Sequence, residues 1–418
     1  MTILDSAKQR VRAFLDEVRR LADLEFPYND SKDALAVLQA LFERKLGRLE
    51  ALDETNDPAV VSQEASLALR SLFVYLPLLG FVLRSTNVRN AFEVFRPFLR
   101  LATQVLEPDQ PLSARTTRLL LSSEWEYSPF TYQSIPDLPG FVLIGIPAPE
   151  SANPLLLPLA GHELGHTVWV AKKVCDQVKV GMTEAILTGL TAKFDEFNQY
   201  TRLSLSRPED LVGNLFALTE VKDILEWAVR QGEETFCDLL GLRLFGEAYL
   251  FAFAYLLAPG SGDRIPWYPS LTERVGYLVQ AAADWHLTPP LDYEKLFGTE
   301  VLAGFTAYDS FKASIADQAL RAVFPVLVAQ SKSITEAAGV RIRLPSEVTR
   351  IGDRLALGVP AEHCDCIADI VNAAWAVTHA GDLWSDIATM AGRKEEVLKE
   401  LVLKNLEVFE FEQLVKRP

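Results

Sequence analysis

Residues 162 to 166 read His162-Glu163-Leu164-Gly165-His166, an H-E-x-x-H run. On a helix this spacing puts two imidazoles one turn apart on one face, a natural pair of ligands for zinc. The carboxylate between them faces the open side of such an ion, where it can act as a general base. Two of the chain's five histidines fall here. Gly161, Leu164, Gly165 and Thr167 are uncharged and Val168 is apolar, as a helix lying in the floor of a cleft requires. Gly165 inside a helix costs about 1 kcal/mol relative to alanine. Its presence predicts that a second element approaches closely there.

Two imidazoles alone do not hold a catalytic zinc; three protein ligands plus water is the usual arrangement. The extended form of the motif, with Gly and His further along the same helix, fails because Trp169 and Lys172 occupy those positions. Downstream, Glu234 and Asp238 are one helical turn apart and share a face. They form the only Glu-x-x-x-Asp pair in the chain. Glu234 could complete a His-His-Glu site, and Asp238 could accept the far ring N–H of a ligand histidine and fix its tautomer. Glu184, Glu233, Glu220 and Glu226 remain open as alternative third ligands, and an acid at a helix start can also serve only to offset the helix dipole.

On these residues the chain resembles the gluzincin metallopeptidases, the thermolysin-like clan of zinc proteases. There, H-E-x-x-H on one helix is completed by the glutamate of a Glu-x-x-x-Asp segment on another. The resemblance implies one zinc ion per chain, held by His162, His166 and Glu234, with Glu163 as the base and Asp238 as the partner of His162. It covers 80 to 100 residues, up to about Phe245. The gap of 68 positions between His166 and Glu234 is longer than in thermolysin itself. The implied activity is hydrolysis of a peptide or protein substrate. Two other readings share these residues: a catalytically inactive zinc-binding or partner-binding helical protein, and a zinc hydrolase of non-peptide amides.

Such sites also need a donor facing the developing oxyanion. By their order along the chain, Tyr268 and His286 are candidates, with Arg274 between them. His363-Cys364-Asp365-Cys366 lacks a second cysteine pair at finger-like spacing and reads as structural. Cys237 reads as a small core residue turned away from Glu234 and Asp238. Trp169 fits a core position, and His379 fits a helix C-terminus.

The elements that must carry these residues are mostly helices. Apolar residues recur at three-four spacing over 4–24, 32–52, 59–83 and 91–106, which predicts an N-terminal helical bundle. Segments 117–121 and 141–146 read as short strands amid proline-rich turns, a small sheet upstream of the metal helix whose edge could pair with an extended substrate. The motif helix is expected over 159–173. Further helices are expected near 183–200, 209–231, 233–257, 271–286, 307–330, 363–378 and 394–415. The fold class is therefore mainly α (α+β), to which the resemblance adds the expectation of a zincin-like core. By linear segments the chain divides into a bundle (1–108), the metallopeptidase core (109–300) and a C-terminal helical region (301–418).

Bulk properties narrow the partners. The chain has 418 residues, 49% of them hydrophobic, enough for a large core. A formal charge of −15 argues against a nucleic-acid partner. Leu72–Leu83 is too short to cross a membrane, and Leu239–Leu257 carries Arg243 and Glu247 inside it, so no membrane span is expected. Four cysteines without a disulfide framework, and an N-terminus without signal-peptide order, suggest a cytoplasmic protein.

Overall fold

The computed structural model describes residues 2–53, 55–85, 91–110, 114, 116–125, 130–131, 138, 140–380, 384 and 393–416. Among these the chain is mainly helical, with one small sheet. It divides into two compact units, 1–95 with 116–152 and 96–115 with 153–418. Both units are discontinuous in sequence, which a division into linear segments cannot express.

The first unit contains α1 (Ile3–Ala22), α2 (Asn29–Glu50) and α3 (Pro58–Arg84); α4 (Phe92–Leu106) begins within it. A reciprocal Thr2–Asp5 capping box starts α1, and its residues Ala7, Val11, Phe14, Leu15, Val18 and Leu21 turn one buried stripe inward. They pack against Leu35, Leu38 and Phe42 of α2 and Leu78, Phe81 and Val82 of α3. The helix α3 runs unbroken past Pro77, so the short apolar run at its end belongs to a 27-residue element. By length and composition alone that helix could cross a membrane, with 33% of its most apolar window buried. Strand β1 (Arg118–Glu124) pairs in parallel with β3 (Phe141–Pro147), and β2 (Phe130–Thr131) pairs antiparallel to β3. The two expected strands are thus immediate neighbours, while the proline-rich turns between them lie largely outside the described residues.

In the second unit, α5 (Leu157–Ala171) carries the H-E-x-x-H run. It is followed by α6 (Val174–Ala192), α7 (Phe194–Thr201), α8 (Asp210–Gly213) and α9 (Leu215–Phe245). The helix α9 is the axis of the unit, contacted by α5, α6 and four later helices: α10 (Glu247–Leu257), α11 (Leu271–Asp284), α12 (Ala307–Ala337) and α14 (Ile367–His379). Every residue from Glu234 to Phe245 is buried, the mark of a helix surrounded on all sides. The remaining helices are α13 (Pro345–Ala356), which the periodicity did not reveal, and α15 (Lys394–Val415).

One boundary differs from expectation in a way that matters. A break was expected near Gly232, but α9 continues through it to Gly246, which ends the helix with φ +59°. A β-carbon at 232 would come within 2.6 Å of Met182 Cε, so this glycine makes room for α6. Glu234 and Asp238 therefore ride mid-helix on a rigid element. The cysteine pair also sits differently: α14 begins at Ile367, so Cys364 and Cys366 precede it, with their thiols against the Ala361 and Arg341 carbonyls.

Candidate metal centre

The crossing of α5 and α9 is built on small residues. A β-carbon at Gly165 would stand 2.7 Å from Cys237 Cα, and one at Gly161 would stand 3.3 Å from Gly241 Cα. Both glycines lie one turn apart on α5 and face a matching pair on α9. Any side chain larger than hydrogen would push the helices apart. The element whose close approach Gly165 predicts is therefore α9.

At this separation the side chains flanking the contact meet. His162 Nε2 lies 3.4 Å from Glu234 Oε2, and His166 Nε2 lies 3.7 Å from Glu234 Oε1. Each imidazole is held from behind by a carboxylate, His162 Nδ1 by Asp238 at 2.8 Å and His166 Nδ1 by Glu233 at 2.9 Å. With Nδ1 committed to a carboxylate, each ring turns its Nε2 toward Glu234, where it can carry a proton or, once that proton is lost, offer a lone pair to a cation. This is the outer-shell arrangement that orients histidine ligands. The structure thus brings together His162, His166, Glu234 and Asp238 from two distant stretches of sequence. The other acids considered lie elsewhere: Glu184 is exposed on α6, Glu220 accepts a hydrogen bond from Tyr308 Oη at 2.7 Å, and Glu226 pairs with Lys222 at 3.9 Å.

Asp238 is the most heavily engaged member. Besides His162, it accepts hydrogen bonds from Arg274 Nε and Nη2, both at 2.8 Å, and from Tyr249 Oη at 2.7 Å. The Tyr249 ring reaches it by lying over Gly241, where a β-carbon would collide with the ring. Burial alone would raise the Asp238 pKa, but Arg274 and His162 hold it below the ordinary carboxylate range. Burial likewise works against charge on His162, yet Asp238 and Glu234 outweigh it and push its pKa up to about 10. Sequence reasoning offered Arg274 only by position and missed Tyr249. Nothing in the apolar run that carries Tyr249 distinguishes it from core.

Glu163 is buried at 5% exposure, and burial raises its pKa against the pull of His162 and His166. It makes no hydrogen bond or ion pair to a described residue. Tyr268, on the loop between α10 and α11, has its pKa raised chiefly by the Glu234 charge and then by burial, so its phenol faces the same centre. That loop is tethered to the core. Gln231 Nε2 donates to the Pro266 carbonyl at 2.8 Å and to Asp317 Oδ1 at 3.0 Å, while Arg264 pairs with Asp317 and donates to the Tyr268 carbonyl.

Two expectations need correction. His286 lies exposed just past the end of α11, with φ +57°. Its backbone N–H donates to the Ala283 carbonyl at 3.2 Å, and no hydrogen bond or ion pair joins its side chain to the described residues of the centre. Cys237 does not turn away. Three residues after Glu234 it lies only about 60° around the helix from it, and it faces α5. His162, His166 and Cys237 form a buried group whose ligand atoms lie within 4.8 Å of one another and could hold a metal ion.

The donor set fits a cation. Ligands about 2.0–2.1 Å from a tetrahedral ion stand about 3.3 Å apart, close to the two Glu234–histidine separations. Among the described residues, the carboxylates of Glu163, Glu233, Glu234 and Asp238 lie around the imidazoles, and Arg274 is the one guanidinium bonded to them. That excess of buried negative charge calls for protonated histidines or a bound divalent ion. Comparison of the chain with family models, curated proteins and solved structures finds no match.

Proposed function

We propose that the protein is a single-zinc hydrolase of the gluzincin type that cleaves peptide bonds, with His162, His166 and Glu234 as the metal ligands. The observation that carries this reading is the pair of imidazoles, each clamped at Nδ1 by a carboxylate and each offering Nε2 to the same glutamate. Glu234 is favoured over Cys237 as third ligand because the thiol is fully buried and its pKa is raised well above the ordinary value, first by burial and then by the surrounding carboxylates. A thiol must lose its proton to bind a metal.

Bound there, zinc would polarise a carbonyl and lower the pKa of a coordinated water. The protein's own groups supply the remainder. Glu163, with no hydrogen bond or ion pair to a described residue and a pKa raised by burial, takes the proton of the attacking water and returns it to the leaving nitrogen. The Tyr268 hydroxyl, on its tethered loop, donates a hydrogen bond to the developing oxyanion. Arg274 stays fixed by its two bonds to Asp238, with Nη2 4.0 Å from Glu234.

Metal analysis of protein purified without chelator, followed by a broad peptide-cleavage screen, tests this. One zinc per chain and cleavage are expected. Glu163→Gln should keep the zinc and lose at least about 100-fold in turnover. Glu234→Ala should lose the metal, while Cys237→Ser should retain it; the reverse pattern would establish a His-His-Cys site instead. Stoichiometric zinc without cleavage would favour an inactive metal-binding protein, and an undiminished Glu163→Gln would sink the mechanism.

A further inference from the structure

Beside the metal centre lies a cleft of about 460 Å³, lined at one end by Tyr268 and Arg274. Arg274 Nη2 also stands 4.0 Å from Glu234, and Tyr268 feels the Glu234 charge, so the cleft and the candidate metal centre share these two residues. Its volume falls within the range of ligand pockets, roughly 300–1,000 Å³. We propose that it binds the lysine or arginine side chain of a peptide. The inference rests on the hydrolase reading for its link to catalysis, though the binding itself does not require turnover.

The walls and the rim differ in character. Leu256, Leu257 and Leu271 supply an apolar wall. Four charged residues also line the cleft: Arg264, Arg274, Asp263 and Glu300. The two guanidiniums are already matched by acids that lie outside the lining. Arg274 binds Asp238 through two hydrogen bonds of 2.8 Å, and Arg264 donates to Asp317 Oδ2 at 2.9 Å and to Oδ1. Arg264 senses the Glu300 charge, but its bonds go to Asp317 and the Tyr268 carbonyl.

The two carboxylates are not matched in this way. Backbone bonds bring them together, from Arg264 N to the Val301 carbonyl at 2.8 Å and from Val301 N to the Gly262 carbonyl at 3.0 Å. Glu300 Oε2 accepts the Leu271 N–H at 2.7 Å, and no described lysine or arginine lies within ion-pair distance of either carboxylate. An apolar wall together with two carboxylates that have no ion pair to a described residue suits an aliphatic stem with a cationic head. A leucine would use the wall alone, and a glutamate would be repelled at the rim.

The test uses Glu163→Gln protein as purified, with labelled Ala/Gly decapeptides carrying one central Lys, Arg, Leu or Glu, and reads binding by fluorescence anisotropy. Lys and Arg peptides should bind about tenfold more tightly than Leu or Glu peptides. The preference should vanish in Asp263→Asn/Glu300→Gln, with thermal melting used to verify folding; glutamine keeps an acceptor for the Leu271 N–H. Equal or tighter Leu binding, a preference that survives in the double variant, or no binding of any peptide up to millimolar concentration overturns the proposal. If the parent enzyme cleaves nothing while the Lys/Arg preference and its loss both hold, the hydrolase reading fails and the cleft assignment stands. Cleavage without that preference has the opposite meaning.

Discussion

The α1–α3 bundle and the α5–α9 crossing are both helix packings, yet they are filled by opposite kinds of residue. The bundle interior is leucine, phenylalanine and valine, with Leu35, Leu38, Phe42 and Phe81 fully buried. Such a core is ordered by removal of apolar surface from water. The crossing instead has glycine at its closest points and buries His162, Glu163, Glu234 and Asp238 beside them. Ionic groups in such a place cost free energy unless each is paired. The contrast teaches where this protein accepts a stability cost, and a cost concentrated in one cluster makes that cluster the candidate functional site.

Asp238 gives the sharpest way to break that contrast. Asp238→Asn keeps the shape but removes the charge facing Arg274 and His162 and turns one of the two acceptor oxygens into an NH2 donor. Losing one partner of a buried ion pair destabilises by about 3–5 kcal/mol, and losing a histidine's carboxylate partner weakens metal binding by about 10–100-fold. Leu38→Ala in the bundle should cost a comparable 2–5 kcal/mol or so and leave metal affinity untouched. Urea denaturation and metal competition titration measure the two quantities separately. Equal metal affinity in Asp238→Asn and the parent would mean that the clamp on His162 is ornamental.

The packing itself comes next. Gly165→Ala gains about 1 kcal/mol of helix propensity. It also places a methyl 2.7 Å from backbone of α9, which no rotamer change can relieve. Overpacking of this kind costs about 1–3 kcal/mol, so a net loss of about 2 kcal/mol at most is expected, with weaker metal binding because the histidines move away from Glu234. A stabilised variant with unchanged metal affinity would show that the two helices need not approach so closely.

How much of this was legible follows the same contrast. The H-E-x-x-H spacing is local, and so was readable; so was the i, i+4 pairing of Glu234 with Asp238, because one helix carries both. The meaning of Gly165 was readable too, since a mid-helix glycine poses a question that only close packing answers. Tyr249 was not readable, because its hydroxyl is functional only once Gly241 lets the ring lie over α9. Glu233 read as an alternative third ligand, and its place behind His166 follows only from α9 running unbroken through Gly232. Cys237 was misread because its direction depends on which face of α9 meets α5. His286 was misplaced because order along the chain says nothing about distance from the centre.

A third prediction uses protons. In the metal-free protein, Asp238 and Glu234 raise the His162 pKa to about 10 despite burial. A raised folded value means that the protonated imidazole stabilises the fold fully below its unfolded pKa of about 6.5, and that this contribution is lost as pH climbs toward 10. Metal binding must displace that proton, so affinity should rise about tenfold per pH unit between 7 and 9. Competition titrations across that range, with melting of the metal-free protein alongside, give both slopes. A flat affinity profile would show that His162 is neutral before metal arrives.

The smallest effect completes the comparison with the same chemical change in the other region. Gly47 lies near the end of α2, and a β-carbon there would meet nothing within 4 Å. Gly47→Ala should therefore collect the propensity term without a collision, stabilising the protein by about 0.5–1 kcal/mol and leaving metal affinity alone. Opposite signs for alanine at 47 and at 165, read from denaturation midpoints, would tie the difference to the neighbour each glycine faces. The same sign at both would remove close helix approach as the reason that glycine stands at position 165.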